Sequence, residues 1–224
     1  MRALQEAGNN QEALQFARWL RRAVAGDPSQ FQIMYGLSGE RRLTELTLDW
    51  LPGYEGSLPV RVGNGAFDQY QLDVMGEVAM AMYTTAKLKG EIGPASAHSF
   101  VRVGDYVAAN WTRTDRGIWE MRGPNRAFTA SKISAWAALE HCILAAREFS
   151  FDAPVSRWVA VRNEIHGEVC EKGFDAERNT FTQYYGSEDL DASLLGDGGD
   201  DLGLGDRTEE LATSTGASLD GDRT

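Results

Sequence analysis

The chain has 224 residues, of which 42% are hydrophobic and 10% aromatic, which is enough to bury a sizeable core in one ordinary domain. Its formal net charge of -11 argues against a surface that tracks phosphates, so we expect no nucleic-acid partner. No apolar run is long enough to span a membrane, and no apolar stretch follows the basic residue near the start. These features predict a cytoplasmic protein without a membrane partner.

The first half of the chain has the apolar spacing of helices. Asn10 is expected to cap a helix that ends near Gly26, just before a proline. A second helix is expected over residues 72 to 86, where apolar side chains cover all sides and therefore predict burial all round. A third helix is expected over residues 96 to 111.

Two further helices follow in the second half. Apolar residues step by three and four from Trp136 to Phe149, directly after the segment Phe128-Thr129-Ala130-Ser131-Lys132. Asp152 is expected to cap a last helix that stops at Gly173. Between the helices lie long loops with many glycines and prolines, and ordered loops of this length often carry function. The periodicity thus predicts an all-α fold.

The cysteines and histidines give no sign of a metal or cofactor. Cys142 and Cys170 lie in helical patterns without metal-ligand or redox spacing, so we interpret both as reduced, buried, small apolar side chains. His98, His141 and His166 have no ligand spacing and are interpreted as hydrogen-bonding side chains. We therefore predict no metal site and no cofactor.

The segment Gly117-Ile118-Trp119-Glu120-Met121-Arg122-Gly123 is the strongest candidate for chemistry. An indole beside a carboxyl group excludes water from one side and disfavours the charged form, so that the group holds a proton nearer to neutral pH. Such a carboxyl group suits acid catalysis, and the Trp119 ring suits stacking on a sugar. The alternative from these residues alone is an ordinary turn, with Trp119 at the edge of the core and Glu120 in solvent.

Several segments before and after this turn resemble one known family in order and spacing. The segments are Gln32-Ile33-Met34-Tyr35-Gly36, Gly39-Glu40-Arg41-Arg42-Leu43, Leu51-Pro52-Gly53-Tyr54-Glu55-Gly56-Ser57, Pro59-Val60-Arg61-Val62-Gly63-Asn64, Gln69-Tyr70-Gln71-Leu72-Asp73, and Ser131-Lys132 with Ala135-Trp136. Together with the Trp-Glu turn, they are similar to bacterial members of glycoside hydrolase family 15, the glucoamylase and trehalase-like enzymes. The resemblance covers about residues 4 to 195.

The resemblance implies a fold and an activity. The implied fold is part of an (α/α)6 toroid, in which six inner helices are ringed by six outer ones and the sugar site lies at one mouth. The implied activity is inverting hydrolysis of an α-linked glucoside or oligosaccharide, with Glu120 as the general acid. Inversion needs a second carboxylate that activates water on the opposite face of the sugar.

The resemblance also indicates residues that contact the sugar. By position they are Trp119, Arg122, Arg61, Asn64, Gln71, Asp73 and Lys132. Amide, guanidinium and carboxylate groups suit sugar hydroxyls, which both donate and accept hydrogen bonds. Ordinary loop and cap bonding is the alternative role of the polar ones. Arg122 either bonds the sugar or holds Glu120 by charge, and Lys132 is otherwise a solvated charge in the first turn of a helix.

The chain divides at residue 196. Residues 196 to 224 hold eight acidic residues, two arginines and no aromatic residue, and we expect them to be a disordered tail from a frameshifted or truncated reading frame. Residues 1 to 195 are then an internal fragment of the catalytic domain, without the segment that carries the general base. Two functions remain open: an α-glucoside hydrolase, or a catalytically incomplete helical fragment that at most binds carbohydrate weakly.

Overall fold

The structure is a computed structural model that describes residues 2–195, and the predicted acidic tail lies outside the described residues. Six α-helices account for most of the regular structure in this range, and the prediction of an all-α chain is confirmed. Among residues 2–195, no helix combines the length and the apolar character that a membrane crossing needs. The helices are α1 (Arg2–Glu6), α2 (Asn10–Ala23), α3 (Asp73–Lys89), α4 (Pro94–Asn110), α5 (Thr129–Glu148) and α6 (Val155–Lys172).

Two short antiparallel hairpins, which the sequence did not predict, stiffen the loops. Strand β1 (Leu46–Thr47) pairs with β2 (Arg61–Val62), with Leu46 opposite Val62. Strand β3 (Phe174–Asp175) pairs with β4 (Thr180–Phe181) directly after α6. Strands of two residues are too short for a period-two pattern to show in the sequence.

Helix α5 is the centre of the core and packs against α3, α4 and α6. Its residues Ala135, Leu139, Cys142 and Ile143 are fully buried, and they lie on more than one side of the helix. Alanine is also the best helix former, so the many alanines of α5 favour the helix and let its neighbours approach closely. A helix with apolar residues on every side is expected to be buried among other helices, as α5 is.

Glycines set the closest contacts between helices. A Cβ atom on Gly76 of α3 would lie 2.8 Å from the carbonyl oxygen of Ser134 in α5. A Cβ atom on Gly104 of α4 would lie 2.6 Å from the Trp158 ring of α6, and that indole is itself fully buried. These two contacts are possible only without a side chain at the glycine.

Two predicted helix caps were wrong, by one residue at α2 and by two residues at α6. Helix α2 has Asn9, not Asn10, at its N-cap, and the Asn9 side chain makes no capping hydrogen bond. Helix α6 has Pro154, not Asp152, at its N-cap. The residue before a proline avoids the helical conformation, so the helix cannot start at Asp152 and run through Ala153.

The contact between Gly104 and Trp158 generates a test of the packing. We expect Gly104→Ala to lower the free energy of unfolding by about 1–3 kcal/mol, because the added methyl group overpacks a rigid buried ring. Urea denaturation followed by circular dichroism measures the change. Gly167→Ala in α6 is the matched control, since a Cβ atom there meets nothing within 4 Å. The control should be neutral or more stable by up to about 1 kcal/mol, and equal effects of both variants would contradict the packing.

Candidate active site

The candidate general acid lies in a tight turn between α4 and α5. The Glu120 N–H donates to the Gly117 carbonyl at 3.2 Å, and the Met121 N–H donates to the Arg116 carbonyl at the same distance. Gly117 has a φ of 66°, and a Cβ atom there would lie 2.9 Å from the Phe128 ring. Glu120 itself has a φ of 53°, in the left-handed region that a residue with a side chain rarely adopts. The turn therefore presents a half-buried carboxyl group at a strained position.

The loop before α3 meets this turn at Asn64. The Asn64 Nδ2 donates to Glu120 Oε2 at 3.0 Å, although 56 residues separate the two. The other end of the amide, Oδ1, accepts from the Ala66 N–H at 2.8 Å, so the side chain is fixed at both ends. Gly63, with a φ of 76°, permits the loop to pass so close to Thr44 that a Cβ atom would lie 2.2 Å from its carbonyl oxygen. The structure thus brings the two predicted loops together.

A buried carboxylate joins the bases of the two loops. Asp115 is 1% exposed; its Oδ2 accepts from the Leu72 N–H at 2.7 Å and its Oδ1 from the Gly117 N–H at 3.1 Å. Its backbone pairs with Arg126 through hydrogen bonds in both directions. Burial raises the pKa of the Asp115 carboxyl group, and the two N–H donors partly offset this. Asp115 therefore fixes the start of α3 relative to the turn that carries Glu120.

Lys132 is a structural residue and not a solvated one. It is 1% exposed, and its ammonium group donates to the carbonyl oxygens of Trp111 and Arg113, at 2.5 and 2.7 Å. These carbonyl groups follow the end of α4, where helices leave acceptors without partners and where a positive charge is favourable. Burial lowers the pKa of Lys132, and the nearby Asp115 acts in the opposite direction. With its ammonium group buried and bonded to backbone, Lys132 holds the end of α4 against α5.

The two arginines of the predicted site face one glutamate. Arg122 lies 3.5 Å from one oxygen of Glu45, and Arg61 lies 3.6 Å from the other. Glu45 Oε2 also accepts from the Gly65 N–H at 3.2 Å. Both arginine side chains are at least half exposed and lie at the surface beside the Glu120 turn. The ion pair that the structure gives Arg122 is thus with Glu45.

Gln71 and Asp73 lie deeper than the arginines. Gln71 is 5% exposed, and its amide donates to Gln69, whose own amide reaches the Met121 carbonyl oxygen at 3.5 Å. Asp73 is 9% exposed at the first position of α3, and its Oδ1 has no hydrogen-bond partner among the described residues. Burial, together with the neighbouring Asp115 carboxylate, raises the pKa of Asp73 to about 7.

Trp119, the residue before Glu120 in the turn, is exposed to solvent. Its side chain is 55% exposed, and its Nε1–H donates to Asp191 Oδ1 at 2.7 Å. The Asp191 carboxylate also accepts from Gln183 Nε2 and from the Ser193 N–H, both at 2.8 Å. Burial acts to raise the pKa of Asp191, but the hydrogen bonds from these donors outweigh it and hold the pKa below its ordinary value.

Three residues at this junction were not predicted from the sequence: Glu45, Asp115 and Asp191. For Asp115 a local signal exists, since an aspartate two residues before a glycine is typical of a side-chain turn. Asp191 has the same relation to the Ser193 N–H, whereas nothing near Glu45 indicates its role.

Potential metal ligands, the two cysteines and a cavity are the other features of the described range that could carry a function. Within residues 2–195 no three His, Cys, Asp or Glu side chains are grouped closely enough to hold a metal ion. Cys142 is buried, as predicted, but Cys170 is only partly buried, and both thiols are free. A cavity of about 410 Å³ lies between α2, α3 and α4, and none of the candidate site residues lines it.

The raised pKa of Asp73 predicts that the free energy of unfolding depends on pH. The pKa is about 7 in the folded chain and about 3.8 in the unfolded one, so the stabilisation present below pH 4 is lost as the pH rises through 7. We expect Asp73→Asn to gain stability relative to the parent over this range, by up to about 4 kcal/mol at pH 8. Urea denaturation at pH 4, 6 and 8 measures the difference. Asp49→Asn, at an exposed loop position, is the matched control. A difference that does not vary with pH would contradict this account.

Comparison with known proteins identifies the family of the chain. The family model of glycosyl hydrolases family 15 matches residues 1–213. A trehalase of Thermoplasma volcanium is 35% identical over 193 residues, which are 86% of this chain and 31% of the relative. A trehalase of Mycobacterium tuberculosis is 40% identical over 164 residues, 73% of this chain and 24% of the relative. The chain thus spans about a third or less of the length of these relatives.

The fold of this chain is similar to that of a solved structure. That structure is a glycosidase variant in complex with glucose, with a TM-score of 0.50 and 20% identity, and the match covers 64% of this chain and 39% of that one. The likeness supports the prediction that the helices form part of an (α/α)6-like toroid. The extent of the family match, the trehalase relatives and the shared fold lead to one conclusion: this chain belongs to glycosyl hydrolases family 15.

Proposed function

We propose that this chain is the part of a trehalase-type α-glucoside hydrolase that supplies the general acid, Glu120. One observation carries the proposal: Asn64 and Glu120, on loops 56 residues apart, meet in a hydrogen bond of 3.0 Å. The names of the relatives, which are trehalases at 35 and 40% identity, support the substrate class. The substrate is then trehalose or a related α-linked glucoside.

The hydrogen bond from Asn64 bears on the chemistry of Glu120. Asn64 Nδ2 is a donor, so it occupies Oε2 as an acceptor and leaves Oε1 as the oxygen that carries the acidic proton. In the proposed reaction Oε1 donates that proton to the glycosidic oxygen while the bond to the anomeric carbon breaks. Asn64 also prevents the carboxyl group from rotating away from the substrate.

The surrounding residues divide into two layers in this proposal. Trp119, Asn64, Arg61 and Arg122 are the proposed contacts with the sugar, because they lie on the exposed side of the turn. Gln71, Asp73 and Lys132 are buried and support the loops from below. Arg61 and Arg122 share Glu45, and a sugar hydroxyl can replace part of that contact, since Glu45 holds both through bonds of 3.5 Å or longer.

The proposed hydrolysis inverts the anomeric carbon. A second carboxylate activates water on the face opposite Glu120, at a separation of about 6.5–9.5 Å between the carboxyl groups. The proposal assigns this base to a part of the enzyme that the 224-residue chain does not contain. The 224-residue chain alone is then expected to bind substrate without turning it over.

The assay uses the longest polypeptide that the coding sequence specifies, beside the 224-residue chain. We expect Glu120→Gln to reduce release of glucose from trehalose by about a hundredfold to ten-thousandfold, since it removes the proton donor but keeps the shape of the group. A glucose-oxidase assay with trehalose and maltose measures release, and proton NMR of the first product identifies its anomer.

Glu164→Gln, the same change at an exposed position of α6, is the matched control and should leave release unchanged. Equal rates for the parent and Glu120→Gln would contradict the assignment of the acid. Release by the 224-residue chain well above its Glu120→Gln variant would show that the base lies within this chain.

A further inference from the structure

The Trp119 side chain is both exposed and held in place. More than half of its surface is exposed, so it adds little to the core. Its indole N–H is nevertheless held by a carboxylate at 2.7 Å, which is a short, charge-assisted hydrogen bond. An exposed tryptophan that is fixed in this way presents a flat apolar face of constant orientation.

The carboxylate that holds the indole is itself fixed. Asp191 accepts from Gln183 and from the Ser193 N–H as well as from Trp119. The Gln183 carbonyl oxygen accepts from the Thr129 N–H at 3.0 Å, at the first residue of α5. A continuous path of hydrogen bonds therefore runs from the central helix of the core to the exposed ring.

The pair Trp119 and Glu120 is held from two sides by different parts of the chain. Asn64, 56 residues earlier, holds the carboxyl group, and Asp191, 72 residues later, holds the indole. The orientation of two adjacent side chains is thus determined by two independent long-range contacts. Such an arrangement fits a site in which the ring and the acid must keep a constant relation to one bound sugar.

We propose that Asp191 is a positioning residue that holds the Trp119 indole as an apolar wall beside Glu120, against which the glucosyl ring packs. The inference rests on the proposed function and deepens it. Asp191 acts through the indole N–H and does not itself touch the sugar. The C–H face of a glucose ring matches a flat aromatic face, and a wall that cannot rotate loses less entropy on binding.

The contact between Asp191 and Trp119 can be tested without any activity. In spectra of the chain with ¹⁵N-labelled tryptophan, Trp119→Phe identifies the Trp119 indole resonance by its disappearance. We expect Asp191→Ala to move this resonance upfield and to speed its exchange with water, because the carboxylate acceptor is lost. An unchanged resonance would overturn the inference.

Sugar binding tests the consequence through a double-mutant cycle. Calorimetric titration with trehalose is expected to show about five- to tenfold weaker binding for Asp191→Ala, because the Trp119 ring is then no longer held and must be ordered when the sugar binds. In the Trp119→Phe background, which has no indole N–H, Asp191→Ala should change the affinity by less than about twofold. Equal losses in both backgrounds would overturn the inference.

Asp191→Asn separates positioning from a direct role. Trp119 and Ser193 both donate to Oδ1, so an asparagine oxygen keeps both bonds, while the charge and the acceptor of the Gln183 Nε2 bond are lost. We expect Asp191→Asn to restore most of the affinity that Asp191→Ala loses. Equal losses of affinity in both variants, with the indole resonance of Asp191→Asn at its parental position, would mean that the charge acts on the sugar directly, and the inference would be wrong.

The experiments distinguish a failure of the proposed function from a failure of the inference about Asp191. If neither the 224-residue chain nor the longest polypeptide binds trehalose, the proposed function is wrong, and the sugar part of this inference falls with it. The indole resonance still decides independently whether Asp191 holds Trp119. If trehalose binds but Asp191→Ala changes neither the resonance nor the affinity, the function stands and only this inference is overturned.

Discussion

The carboxylate of Asp115 accepts one hydrogen bond from each of the two loops that form the candidate site. Through Leu72 it fixes the residue that precedes α3, and through Gly117 it fixes the turn that ends in Glu120. Without it, two N–H groups in a buried environment would lack partners, at a cost of about 1–3 kcal/mol each. The meeting of Asn64 and Glu120 at the surface therefore depends on a contact in the layer beneath it.

The helices could be predicted from the sequence because their burial follows a regular period. Residues of α5 from Trp136 onwards step by three and four, and Gly173 marks the end of α6 as predicted, whereas α3 runs three residues beyond its predicted end at 86. The starts were less predictable. At α6 the choice between Asp152 and Pro154 is decided by a steric restriction on one backbone angle, whereas the capping rule considers only the side chain. The hairpins escaped prediction because each strand has only two residues.

For the site, the residues of the Trp-Glu turn could be predicted, and the resemblance to a family predicted that Asn64 belongs to the same site. The partners of these residues could not be predicted. Glu45 lies 77 residues from Arg122, and Asp191 lies 72 residues from Trp119. Such contacts leave no local pattern, since they depend on how the helices between them pack. Lys132 shows the same limit: the resemblance indicated a sugar contact and the position in a first turn indicated solvent as the alternative, but the end of α4 covers its side chain.

The left-handed backbone conformation of Glu120 lowers the stability of the folded chain at a residue that the proposed function needs. A glutamate with a φ of 53° is less favourable there than glycine or asparagine by about 1 kcal/mol, so replacing it would make the folded chain more stable. The most stable sequence for this turn is therefore one without its carboxyl group. Selection of variants for thermal resistance alone therefore favours loss of Glu120, the proposed general acid, so such a selection must hold this position fixed.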